Sequence, residues 1–134
     1  MEIIIHQPDG NRSADPAHVI VEVNADEVIL SDVQDALDLM ADAVFRGANS
    51  VVIHERNITP DFFDLRTGLA GEILQKFVNY NVRLAIIGDF SKYPSKSLQA
   101  FIIECNRGKH FLFANDVTIV KQKMGSFAGD DSTV

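Results

Sequence analysis

The sequence predicts one α/β domain on a mostly parallel sheet of about five strands, with an antiparallel strand at its N-terminal edge. Three observations carry that expectation. Short apolar runs recur at 2–6, 18–23, 51–54, 82–87 and 110–113. Amphipathic stretches of helical spacing separate the later runs. The runs at 51–54 and 82–87 are apolar on both faces, as strands buried inside parallel sheets are.

Taken in order, the run at 2–6 reads as a short strand. Pro8, Asp9, Gly10 and Asn11 make a turn before the strand at 18–23. In that strand Val19, Val21 and Val23 share one face, and Ile20, Glu22 and Asn24 share the other. The two strands are read as an antiparallel hairpin with a long loop.

Ser31-Asp32-Val33-Gln34 carries the Ser-x-x-Gln pattern of a capping box and opens a helix. Val33, Ala36, Leu37, Met40 and Val44 recur there at helical spacing. Asp35, Asp38 and Asp42 fall on the other side as a solvated acidic stripe. Gly47 is placed to stop the helix.

After the strand at 51–54, Pro60 suits the first position of a helical turn. Phe62, Phe63 and Leu65 anchor that turn in the core. Thr67 then caps a helix whose apolar stripe is Leu69, Ala70, Ile73, Leu74, Phe77 and Val78. Gly68 and Gly71 lower helix propensity in its first turn, which predicts a close backbone approach there.

The strand at 82–87 leads to Ser95, a cap for a helix with Leu98, Phe101, Ile102 and Cys105 on one face. Residues 106–108 end it. The strand at 110–113 follows, and Asp116 caps a short helix to about Met124. Residues 125–134 are small and polar and are read as a disordered tail, which leaves 1–124 as the single folded domain. Strands alternating with helices in this way require right-handed crossovers.

The order ββα followed by βα three times resembles the STAS fold, found in bacterial anti-sigma-factor antagonists and sulfate-transporter tails. Those domains follow their second parallel strand with a Phe-x-Asp-Ser-Ser-Gly-Leu-Gly-type turn. Here Phe62-Phe63-Asp64-Leu65-Arg66-Thr67-Gly68-Leu69 is similar, with one residue more between Asp and Gly and Thr in place of Ser. More closely, the chain resembles an uncharacterised family of small bacterial STAS-like proteins. That resemblance rests on FFDLRTGLAGEILQKFVNY, LAIIGDFSKY and the segment from Ser95-Lys96-Ser97-Leu98 to Asn106-Arg107-Gly108.

Ligands of parallel α/β sheets bind outside the carboxyl ends of the strands. Those ends carry His54-Glu55, Gly88-Asp89 and Asn115-Asp116, with Asp64, Arg66, Thr67 and Gly68 on the adjoining turn. In STAS regulators a partner kinase phosphorylates the Ser at the helix start. The resemblance implies that Thr67 occupies that place, where helix amides favour an anion; the plainer reading is a cap. Glu55, Asp64 and Asp89 become acid/base groups or a hard-metal site only if they converge. Apart, such carboxylates cap turns.

His6, His18, His54 and His110 show no HExxH or other metal-ligand spacing, and His54 is read as a satisfied residue at its strand end. Cys105, the lone cysteine, falls on a core-facing stripe and has no CxxC neighbour. No P-loop or catalytic signature is present, so no catalytic residue, metal or cofactor is assigned.

The formal charge of -7 disfavours nucleic acid and anionic membrane as partners. The N-terminal run is too short for a signal peptide, and no window reaches membrane-span length. A cytoplasmic protein is expected. The leading expectation is a STAS-like regulatory module that docks a protein partner through residues 64–71 and nearby strand ends. The rival is a small-molecule-binding or enzymatic domain using Glu55, Asp64, Arg66 and Asp89, which needs a concave pocket at the strand ends. A self-associating structural domain is a third possibility.

Overall fold

The computed structural model describes residues 1–6 and 19–130. Its strands are β1 (Glu2–His6), β2 (Ile20–Asn24), β3 (Ser50–His54), β4 (Arg83–Ile87) and β5 (Phe111–Ala114). Its helices are α1 (Val33–Phe45), α2 (Leu69–Asn79), α3 (Lys96–Arg107) and α4 (Val117–Asp130). The strands lie in chain order β1-β2-β3-β4-β5. The first pair is antiparallel and the other three pairs are parallel, as the sequence predicts.

Sequential order has a direct consequence. Each right-handed crossover steps the same way along the sheet, so α1, α2 and α3 fall on one face. There Val21, Val51, Ile53, Leu84, Ile86 and Phe113 pack against Ala36 and Met40 of α1, Ile73, Leu74 and Phe77 of α2, and Leu98 and Ile102 of α3. On the reverse face Ile20, Val52, Ala85, Ile87, Leu112 and Ala114 form a smaller core with Val120 and Met124 of α4. The period-two alternation of each strand supplies both cores at once.

Several local expectations are corrected. The cap of α1 is Asp32 rather than Ser31: its carboxylate accepts from the Asp35 amide at 2.8 Å. Ser31 instead donates through its amide and its hydroxyl to the Asp35 carboxylate, and Gln34 reaches forward to Asp38. The longer Asp side chain and the extended backbone at 32 make the better cap.

Val44 and Val78, assigned to buried stripes, are exposed, because each sits at the edge of its helix face. The α2 cap position is Gly68, one residue after Thr67. Helix α4 runs past the Met124 expected as its end. His18, the turn at 8–11 and the last four residues of the expected tail lie outside the described residues.

Other local readings agree with the structure. Pro60 opens a 3-10 turn that buries Phe62 and Phe63. The Ser95 hydroxyl caps α3 by accepting from the Leu98 amide at 3.1 Å, and Asp116 accepts from the Ile119 amide at 3.1 Å.

Candidate functional site

Between β3 and α2 the chain makes three consecutive 3-10 turns, at Glu55–Asn57, Pro60–Phe63 and Leu65–Thr67. Asn57, fully buried, fixes the first of them. Its amide donates to the carbonyls of Ala25 and Glu27, and its side-chain oxygen accepts from the His54 amide. This staples the loop after β2 to the carboxyl end of β3. Nothing in the local sequence marks Asn57 for that task, since its partners lie some thirty residues away.

The Asp64 side chain closes the third turn. It accepts from the Arg66 amide at 3.1 Å and from the guanidinium at 3.0 and 2.9 Å. The hydrogen bonds from the Arg66 side chain and then its amide hold the Asp64 carboxyl below its ordinary range. The Thr67 hydroxyl faces the carbonyls of Asp61 and Asp64 as a donor and accepts from the Leu69 amide at 3.1 Å. Gly68 follows with φ +78°, a left-handed conformation that glycine adopts without strain.

The expected backbone contact at Gly71 is absent: among the described residues, its chain neighbours and own helix backbone aside, no atom lies within 4 Å of where its Cβ would stand. Gly68 is likewise clear of neighbours, so positive φ explains Gly68 and close packing explains neither glycine.

Glu55 and Asp89 stand at the ends of β3 and β4. With His54, Arg56, Ile87, Gly88 and Asn115 they line a crevice of about 340 Å3. Glu55 accepts from Lys92 at 2.9 Å and from the Tyr93 hydroxyl. Burial, the hydrogen bond to Glu55 and its charge hold the Tyr93 phenol above its ordinary range, so Tyr93 stays a donor. Asp89 caps its own turn, accepting from the Ser91 hydroxyl at 2.6 Å and the Ser91 amide at 3.1 Å. Those bonds hold its carboxyl below the ordinary range.

The structure therefore divides the predicted residues. Glu55 and Asp89 share the crevice, whereas Asp64, Arg66, Thr67 and Gly68 form a separate exposed turn. A second depression of about 270 Å3 includes Glu55, Arg56, Phe63, Lys92 and Tyr93, and shares Glu55 and Arg56 with the crevice. Three carboxylates that would have to converge for acid/base work each close a different local bond network. Among the described residues no group of three His, Cys, Asp or Glu side chains is placed to hold a metal ion.

A second titratable cluster lies on the reverse face of the sheet. The Glu22 carboxylate accepts from His6 Nε2 at 2.8 Å on one oxygen and from His54 Nε2 at 2.9 Å on the other. An ionised carboxylate only accepts, so both imidazoles carry their proton on Nε2. Burial pushes the Glu22 carboxyl up, but the hydrogen bonds and charges of His6 and His54 outweigh it, and the net shift is downward. Strand register assembles the cluster: His6 pairs with Ile20, two residues before Glu22, and Glu22 pairs with Val52, two before His54. Cys105 is half-buried, and burial together with Glu104 pushes its thiol up to about 11, away from thiolate chemistry.

The fold defines a small, mainly parallel α/β domain with these surfaces at its strand ends and on the reverse face of its sheet. Residues 16–124 match the family described as a domain of unknown function, DUF4180, and the chain belongs to that family. No curated protein and no solved structure matches the chain. Among the described residues no helix is long and apolar enough to cross a membrane.

Proposed function

We propose that the protein is a STAS-like regulatory interaction module that docks a protein partner on the start of α2, residues 64–71. One observation carries the reading. Gly71 sits in the first turn of α2, where glycine lowers helix propensity relative to alanine. Its backbone needs no positive φ and its Cβ position is open, so nothing among the described residues calls for glycine there. A bare patch is what a partner backbone needs in order to approach a helix closely.

The surroundings support the same reading. The Asp64–Arg66 pair and the Thr67 hydroxyl hold the turn in one shape before any partner arrives, which reduces the ordering cost of binding. The resemblance of residues 62–69 to the phosphorylated turn of STAS regulators points to the same surface.

Gly71 supplies the test. Gly71→Ala should stabilise the free protein by about 0.5–1 kcal/mol in urea unfolding, yet reduce what the immobilised protein retains from a lysate of its host. Gly71→Lys should abolish that retention. If both variants retain the same partners as the wild type, the docking surface is elsewhere.

The crevice at the strand ends favours a second reading, a site for a small polar ligand. It is concave, and Arg56, His54 and Asp89 line it. Loss of ligand binding in Arg56→Ala, with Gly71→Lys unaffected, would select this reading.

A further inference from the structure

Helix α1 runs from the carboxyl end of β2 back to the start of β3, so its C-terminal half lies at the pole opposite the 64–68 turn. At that pole an open groove of about 490 Å3 is lined by Leu37, Met40, Ala41, Val44, Tyr80 and Val82. Its lining is almost wholly apolar and its edges are bare: Val44 is 59 %, Tyr80 62 % and the adjoining Phe45 90 % exposed. An apolar edge of this kind marks an interaction site.

The charges beside the groove select its occupant. At about 100° per residue, Phe45 falls between Ala41 of the groove and an acidic band of Asp38, Asp42 and Asp35. Among the described residues the salt-bridge partner of Arg46 is Asp42, at 2.9 Å. The hydrogen-bond donors to Asp38 and Asp35 are the neutral side chains of Gln34 and Ser31 and the backbone amide of Ser31. A second copy related by a two-fold axis perpendicular to α1 would bring the same acidic band against itself, on a chain of net charge -7. An amphipathic helix with a Leu-like face flanked by Lys or Arg meets both halves of the surface. We infer that the α1 groove docks a basic amphipathic helix of a partner protein. This surface is independent of the 64–71 turn.

The test titrates the full chain with a labelled synthetic helix of about 18 residues, patterned with Leu on one face and Lys on the flanks. Anisotropy should report saturable one-to-one binding. Val44→Asp should weaken it by about ten-fold or more, although the change makes the protein more acidic. Diffuse charge attraction predicts equal or tighter binding by Val44→Asp, and that result would overturn the proposal. Phe45→Ala, at the most exposed position, provides a second variant should Val44→Asp disturb the fold, and it too should weaken binding.

Asp38→Lys with Asp42→Lys should weaken binding, whereas Thr67→Glu should leave it unchanged. Equal affinity for a Leu/Glu helix of the same pattern would also overturn the proposal. So would a dimer of the free chain that Val44→Asp dissociates, which would assign the groove to a second copy. Absence of saturable binding counts against it equally.

Discussion

A Cβ placed on Gly88 would stand 2.7 Å from both Cβ and Oε1 of Glu55. The cause is register: His54 pairs with Ile87, so the next residue of each strand emerges beside the other. The missing side chain lets Glu55 lie across the end of β4 toward Lys92 and Tyr93. Gly88→Ala should therefore destabilise the protein by about 1–3 kcal/mol, as overpacking does. In a Glu55→Gly background, which removes both clashing atoms, the same substitution should cost far less. Equal losses in the two backgrounds, read from urea midpoints, would show that the clash is not the cause.

Packing under α2 gives a second expectation. Leu74 and Phe77 are buried in the main core, and Val78 is 46 % exposed. Leu74→Ala should cost about 2–5 kcal/mol. Val78→Ala should stay within about 0.5 kcal/mol of wild type. A Val78 loss as large as that of Leu74 would place the helix in a different rotation.

That contrast also shows what the sequence made legible. The parallel strands were readable because Val51–Ile53 and Leu84–Ile87 are apolar at every position, which only a sheet covered on both faces tolerates. Helix edges were not. Val44 and Val78 have the right spacing, but a stripe says nothing of where its neighbour stops, and each lies just beyond that limit. Ser31 and Asp32 are rival caps one residue apart, and only the backbone angles at 32 decide between them. The turn at 64–68 was placed correctly from its residues, but the separation of Asp64 from Glu55 and Asp89 depends on how three short turns fold between β3 and α2. The Glu22 cluster had no local signal at all. Its members are sixteen and thirty-two residues apart and meet only through register across three strands.

Glu22 should give stability an acid dependence of defined sign. Its folded-state pKa lies below the ordinary 4.5, so as pH falls the unfolded chain takes up the proton first. The stabilisation is complete above the ordinary value and is lost as pH drops through the lower folded value. Glu22→Gln should cost stability at neutral pH, and its gap to wild type should narrow on acidification below 4.5. Replacing His6 and His54 together by Leu leaves burial unopposed. Glu22 should then ionise above its ordinary value, and its contribution should fall as pH rises through that range. Urea unfolding across the acid range measures both, and a pH-independent Glu22→Gln gap would discard the account.

Thr67 separates turn closure from regulation. Its hydroxyl faces the Asp61 and Asp64 carbonyls as a donor while accepting from the Leu69 amide, so one oxygen joins two 3-10 turns to the start of α2. Thr67→Ser keeps that oxygen and should be nearly silent, whereas Thr67→Ala should lose about 1 kcal/mol. A phosphate at this position would remove the donor and add about 1.5 to 2 negative charges at the N-terminal end of a helix, where the dipole favours them. It would also stand beside Asp61 and Asp64, with Arg66, whose side chain is 90 % exposed, available to turn toward it. Thr67→Glu should thus remain folded, with a thermal midpoint close to that of Thr67→Ala, and lose the partner retained by the wild type. If Thr67→Glu retains that partner at wild-type affinity, phosphate has no switch to operate here, and the hydroxyl serves only to close the turn.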